Sequence, residues 1–226
     1  MLEVTMLNKN NKAHLRGLLI TPFVWSHNVK GEDFYTASVQ VERLSGTYDT
    51  IPIQISDREV DLDDTAWNNA VVDVYGDFRS YNSHVDNGQK RRLILFLFVS
   101  HITNLSKEDD ESSPTYVDPY RSVNSIYMNG FLCKPPVYRK TPMGRELCDL
   151  LVAVNRRYSK TDYIPTICWG RDARFAADLS VGDNVIINGR IQSRPYYKRD
   201  EKGELESRVA YEVSAGTITL GDLQKE

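Results

Sequence analysis

The sequence predicts an all-β protein built from two copies of one small barrel, and three observations carry that expectation. Residues recur at a fixed offset of 113 with no gap: Asn11, Gly17, Pro22, Val39, Arg43, Asp49 and Pro52 return as Asn124, Gly130, Pro135, Val152, Arg156, Asp162 and Pro165. The same register resumes after a divergent middle, where Val72, Gly76 and Ser80 match Val185, Gly189 and Ser193. Short apolar runs rich in branched and aromatic side chains dominate both copies, with little helical periodicity. Each copy spans roughly 105 to 110 residues, enough to bury one core unaided.

In the first copy, strands are expected over Gly17–Val24, Phe34–Leu44, Thr50–Ser56, Ala70–Phe78 and Leu93–Ile102. A weak helix candidate, the acidic and poorly patterned Asp57–Trp67, follows the third. Within the last strand, Leu93 to Val99 (LILFLFV) is more apolar than one face of a barrel requires, which suits a domain or subunit interface. Ser106–Val123 combines an acidic run with serines and two prolines and reads as a solvated tether. In the second copy, Arg145–Arg157 and Tyr163–Trp169 read as strands, and Asp172–Leu179 as a helix with Phe175 and Leu179 on one face. Val181–Gln192 reads as turn, strand, glycine kink and strand. Lys198–Arg208 reads as a charged hairpin loop, and Val209–Leu220 as the closing strand. Three strands, a helix and two strands is the order of an OB-fold, a five-stranded Greek-key barrel. The predicted architecture is therefore two tandem OB-folds with one short helix each, over residues 1–105 and 123–220, joined by an acidic linker at 106–122.

Composition narrows the function. The 226 residues are 41% hydrophobic and 26% charged, and the longest apolar run is far short of the about 20 residues a membrane helix needs. With no signal-like start, the expected location is cytoplasmic, associated with the nucleoid if DNA is the ligand. The net charge of −3 hides an asymmetry: residues 1–113 carry 11 Lys+Arg and 17 Asp+Glu, whereas residues 114–226 carry 17 and 14. A phosphate-bearing partner is drawn to the second copy. Cys133, Cys148 and Cys168 are widely spaced and odd in number, so free thiols are expected rather than a disulfide framework. The histidines, His14, His27, His84 and His101, all lie in the other copy, which argues against a metal site. No glycine-rich phosphate loop, no His-Glu-x-x-His pair and no histidine in the second copy point to a binding protein without cofactor rather than an enzyme.

Aromatic placement suggests the ligand. Tyr163 and Trp169 are six apart on one strand, hence on one face. Whether that face is buried is open from patterning alone. Tyr158 closes the preceding strand, and Tyr196 and Tyr197 stand among Arg190, Arg194, Lys198 and Arg199. Rings interleaved with cations suit unpaired nucleic acid, whose bases stack on the rings while its phosphates pair with Lys and Arg.

The segments Leu151-Val152-Ala153-Val154-Asn155-Arg156-Arg157-Tyr158, Thr161-Asp162-Tyr163-Ile164-Pro165, Cys168-Trp169-Gly170-Arg171, Phe175-Ala176-Ala177 and Gly189-Arg190-Ile191-Gln192-Ser193-Arg194 resemble the bacterial single-stranded DNA-binding protein family, in order, over about residues 123–220. The resemblance places the family's stacking positions on Tyr158, Tyr163, Trp169 and Tyr196, and its basic contacts on Arg171 and Arg194. Arg156, Arg157, Arg190 and Lys198 join them by neighbourhood. The first copy departs at each stacking position, with Ser45, Thr50, Ser56 and Ser83, so it is expected to serve assembly or partner contact. Tyr48, Tyr81 and Arg79 are the residues available there for a displaced, weaker groove.

The family usually assembles four OB-folds, which for two-domain chains implies a homodimer. Its members commonly carry a Gly/Pro/Gln-rich tail with an acidic, apolar tip. Here the sequence closes on Gly221–Glu226, which leaves the first domain as the candidate for recruiting replication or repair proteins. The function implied is sequence-independent binding and protection of single-stranded DNA in replication, recombination or repair. The alternative is an adaptor whose second domain holds DNA weakly while its acidic first domain docks a replication or recombination protein.

Overall fold

A computed structural model describes residues 10–60, 67–85, 90–107, 121–156, 159–199 and 203–221. The first half contributes β1 (Asn11–Leu19), β2 (Val24–Val29), β3 (Glu32–Glu42), β4 (Tyr48–Ser56), β5 (Val71–Val85) and β6 (Lys90–Asn104). The second contributes β7 (Val123–Leu132), β8 (Val137–Lys140), β9 (Glu146–Arg156), β10 (Lys160–Trp169), helix α1 (Gly170–Ala177), β11 (Asn184–Arg199) and β12 (Leu205–Leu220). All twelve strands join one sheet in the order β2-β3-β4-β6-β5-β1-β7-β11-β12-β10-β9-β8. Pairing of β1 with β3 and of β7 with β9 closes each half into a barrel, the tandem OB-fold architecture that the strand order predicts.

Alternation along the strands puts one set of side chains inside. Ile51, Ile53 and Ile55 on β4, and Val152 and Val154 on β9, are completely buried. Each such residue contributes about 1.5–3 kcal/mol through the apolar surface it removes from water. Two repeated glycines allow the long strands to bend. The β5–β6 and β11–β12 ladders shift register at Tyr75/Gly76 and at Asn188/Gly189. A Cβ on Gly76 would stand 2.1 Å from the Phe98 carbonyl oxygen, and one on Gly189 would stand 2.3 Å from that of Ser214. Only glycine lets the backbones approach this closely, and a bulge bends its strand and increases the local twist.

The halves are joined edge to edge. β1 and β7 run antiparallel with Asn11 opposite Met128, Ala13 opposite Ile126 and Leu15 opposite Asn124. Ala13 and Ile126 are equivalent positions of the repeat, so a pseudo-two-fold axis passes through that pair. The repeat offset also relates contacts within the two barrels. Asn11 Nδ2 donates to the Phe78 carbonyl at 2.7 Å, and Asn124 Nδ2 donates to that of Ile191 at 2.7 Å.

Several elements differ from expectation. Val24–Val29 and Val137–Lys140 form short edge strands whose exposed side chains left no apolar pattern to read. Lys198–Arg208 is not chiefly loop: Lys198 and Arg199 extend β11 and pair with Glu206 and Leu205, because cross-strand pairing absorbs the charges. The helix begins at Gly170 rather than Asp172, since Gly170 takes φ +57° and turns the chain directly from β10 into α1. Of the weak helix expected over Asp57–Trp67, residues 57–60 form a turn and bend, and residues 61–66 lie outside the described residues, as does most of the expected linker. Leu95, Leu97 and Val99 of β6 face the core while Ile94, Phe96 and Phe98 are half-buried on the other face. Cys148 and Cys168 oppose each other inside the second barrel as free thiols, and burial pushes Cys168 up to about 12. Among the described residues no helix is long and apolar enough to cross a membrane.

Candidate nucleic-acid interface

Strand β10 resolves the ambiguity that patterning left. Ile164, Thr166 and Cys168 point into the barrel, while Tyr163 and Trp169 stand on the outer face, 41% and 39% exposed. Six residues of strand separate the two rings by roughly 20 Å. Pro165 lies between them on the same face. Arg171 follows on the first turn of α1 with its side chain 91% exposed, its nearest carboxylate being Asp172 at 3.8 Å. One turn on, Phe175 presents a further exposed ring.

The outer arm of β11 brings up a second group. Arg194, Tyr196 and Lys198 alternate onto one face, with Tyr197 pointing the other way. Arg194 Nε is 3.6 Å from Glu212, and its side chain is largely exposed. Tyr196 is half-buried opposite Arg208, whose Nε and Nη2 hold Glu206 at 2.9 and 2.6 Å.

Arg190 and Arg156 are differently placed. Arg190 Nη1 donates to Asp49 Oδ2 of the first barrel at 3.0 Å, and its Nη2 donates to Gln192 at 3.0 Å. Burial draws its pKa down while Asp49 opposes the shift. Asp49 also holds Arg43 and accepts the Ser193 N–H at 2.7 Å. Arg156 Nε lies 3.1 Å from the buried Asp162. Both arginines are thus engaged by carboxylates where the barrels meet. Tyr158 and Arg157 lie outside the described residues.

Among the hydroxyl residues that replace the rings in the first barrel, Ser56 Oγ donates to Glu32 at 2.5 Å, Ser45 Oγ lies 2.9 Å from Thr47 Oγ1, and Thr50 uses its backbone N–H to reach Ser193 Oγ at 3.0 Å. Of the three residues considered for a displaced groove, Arg79 packs its guanidinium 3.6 Å over the Phe98 ring and pairs with Asp77. Tyr48 is exposed near the start of β4. Tyr81 lines a cleft between the two barrels, together with Arg92, Phe96, Tyr196 and Tyr211. Phe96 and Tyr211 carry no sign of this in the sequence, since each sits in an apolar alternation that reads equally well as core.

Fold and surface together define the class: a tandem OB-fold protein whose second barrel carries an exposed aromatic track bordered by cations. Residues 123–220 match the Single-strand binding protein family. Over 85 residues the chain is 36% identical to the single-stranded DNA-binding protein of Clostridium tetani, covering 34% of this chain and 59% of that protein. Over 97 residues it is 32% identical to single-stranded DNA-binding protein 2 of Listeria innocua, covering 40% and 61%. Over 116 residues it is 26% identical to the single-stranded DNA-binding protein of Thermus thermophilus, covering 50% and 44%. The chain thus spans about half the length of the curated relatives it matches. In fold it superposes on the wild-type single-stranded DNA binding protein of Thermus aquaticus with a TM-score of 0.71 at 18% identity, covering 96% of this chain and 95% of that one.

Proposed function

We propose that the protein binds and protects unpaired DNA without reading its sequence, during replication, recombination or repair. The observation that carries this reading is the exposure of Tyr163 and Trp169 on one outer face of β10, beside the open Arg171. Bases stack on Trp169, Tyr163 and Tyr196, and on Tyr158 by family position, while Arg171, Arg194 and Lys198 follow the phosphates. Arg190 supports the site by joining the barrels through Asp49, Arg156 does so by pairing with Asp162 of its own barrel, and Arg157 joins the phosphate contacts by its neighbourhood. The mechanism is passive: binding energy that favours the unpaired strand draws duplex open by mass action, with no catalytic step. In this reading residues 123–220 are the DNA-binding domain, residues 1–105 a divergent partner joined through 106–122, and two chains associate to present four OB-folds.

The test is a fluorescence titration with oligo-dT and with duplex DNA at several salt concentrations. Quenching by oligo-dT at far lower concentration than by duplex, with affinity falling steeply as salt rises, supports the reading. Equal affinity for both DNAs refutes it. Sedimentation of the chain alone and with DNA tests the homodimer.

A further inference from the structure

The cleft between the barrels has a volume of about 560 Å³, within the range of sites that enclose small ligands. Pro52 and Pro165, equivalent positions of the repeat, both line it, so it straddles the pseudo-two-fold axis. The first barrel supplies Tyr81, 51% exposed and in edge contact with Phe96 at a centroid distance of 5.9 Å. It also supplies Arg92, an exposed cation with no carboxylate partner among the described residues. The other charges of the cleft are already engaged: Glu212 accepts from Gln192 at 2.6 Å and faces Arg194, and Arg208 holds Glu206. Tyr196 and Tyr211 complete the wall from the second barrel. Pro165 ties the cleft to the aromatic track, because it lies on the same face of β10 as Tyr163 and Trp169.

We propose that this cleft is a nucleotide subsite shared by both barrels, into which a single strand passes from the track. A base stacks on Tyr81 beside Phe96, and a phosphate pairs with Arg92. The inference rests on the single-strand reading above and extends it: the first barrel, without rings at Ser45, Thr50, Ser56 and Ser83, still contributes to the path of the strand through a different element, the β5–β6 hairpin. A ring and an open cation across from Tyr196 fit unpaired nucleic acid, whereas the cleft's lack of an open carboxylate disfavours a basic peptide.

The experiment measures affinity for oligo-dT of increasing length in the full chain, for the parent and for Tyr81→Ala, Arg92→Gln and Trp169→Ala. Short oligomers that fill only the track should bind the two cleft variants as they bind the parent. Longer ones should bind them roughly tenfold more weakly, while Trp169→Ala loses affinity at every length. Arg92→Gln guards against misfolding of Tyr81→Ala, since Arg92 is exposed and has no carboxylate partner among the described residues. Oligo-dT bearing 5-iodouracil should cross-link to Tyr81 or Phe96. The subsite is overturned, with the single-strand reading intact, if both cleft variants match the parent at all lengths and cross-links fall only on β10 and β11. If the parent binds no oligo-dT, both fail together.

Discussion

Ser80 donates its backbone N–H to Asp162 Oδ1 at 2.6 Å across the boundary between the barrels. Its hydroxyl accepts the Tyr163 N–H at 2.8 Å. Both contacts recur at the repeat offset: the Ser193 N–H reaches Asp49 Oδ1 at 2.7 Å, and the Thr50 N–H reaches Ser193 Oγ at 3.0 Å. The distal hairpin of each barrel is thereby fastened to the other barrel, and one fastening holds the Tyr163 backbone.

Ser80→Ala leaves the Tyr163 N–H without its partner, so stability should fall by about 1–3 kcal/mol, read as a lower urea midpoint at unchanged slope. Ser193→Ala should cost a similar amount through Thr50. Because Tyr163 belongs to the track, Ser80→Ala should also weaken oligo-dT binding, whereas Ser193→Ala should not.

The two classes of arginine should separate under salt. In the proposed site Arg171 pairs with a phosphate, so in Arg171→Ala the slope of log affinity for oligo-dT against log salt should become shallower by about 0.7. Arg190→Ala should leave that slope unchanged and instead lower the melting temperature, because its guanidinium is held by Asp49 and Gln192. An equal change of slope in both variants would contradict this division.

Trp169→Ala and Tyr163→Ala should each weaken oligo-dT binding by about 1–3 kcal/mol, measured by fluorescence anisotropy, with little loss of stability since both rings are exposed. Trp169→Phe should recover most of the affinity.

Asp162 predicts a pH dependence of defined sign. Burial raises its pKa above the usual 3.8, against the Ser80 N–H, Arg156 and Arg79, which lower it. Between 3.8 and that raised value the folded chain binds more protons than the unfolded one, so this group's contribution makes stability fall as pH rises through the window. Asp162→Asn abolishes this pH dependence. Denaturation midpoints of parent and variant, compared from pH 4 upward, should diverge there, and parallel curves would rule the assignment out.

Gly189→Ala should destabilise the chain by about 1–3 kcal/mol, because its Cβ has no room beside the Ser214 carbonyl at 2.3 Å. Thermal melts of this variant and of Gly76→Ala should drop together, since the two bulges are equivalents.

The repeat at offset 113, the strand-rich pattern and the order of strands and helix were enough to establish two tandem OB-folds. Periodicity of two and the glycines that permit close approach are local properties of a chain. Local spacing likewise put Tyr163 and Trp169 on one face, and Arg194, Tyr196 and Lys198 on another. Spacing could not say which face is outside, because that depends on what packs against the strand. Nor could it tell Arg171, open to solvent, from Arg190, whose partner Asp49 lies 141 residues away. The recurrence of Asp49 and Ser80 as Asp162 and Ser193 was visible, yet its meaning was not, since each residue also bonds to the other copy. Tertiary structure alone decided these matters: the edge pairing of β1 with β7 sets the two barrels about an axis, and that axis determines which arginines are consumed in docking and which rings face a shared cleft.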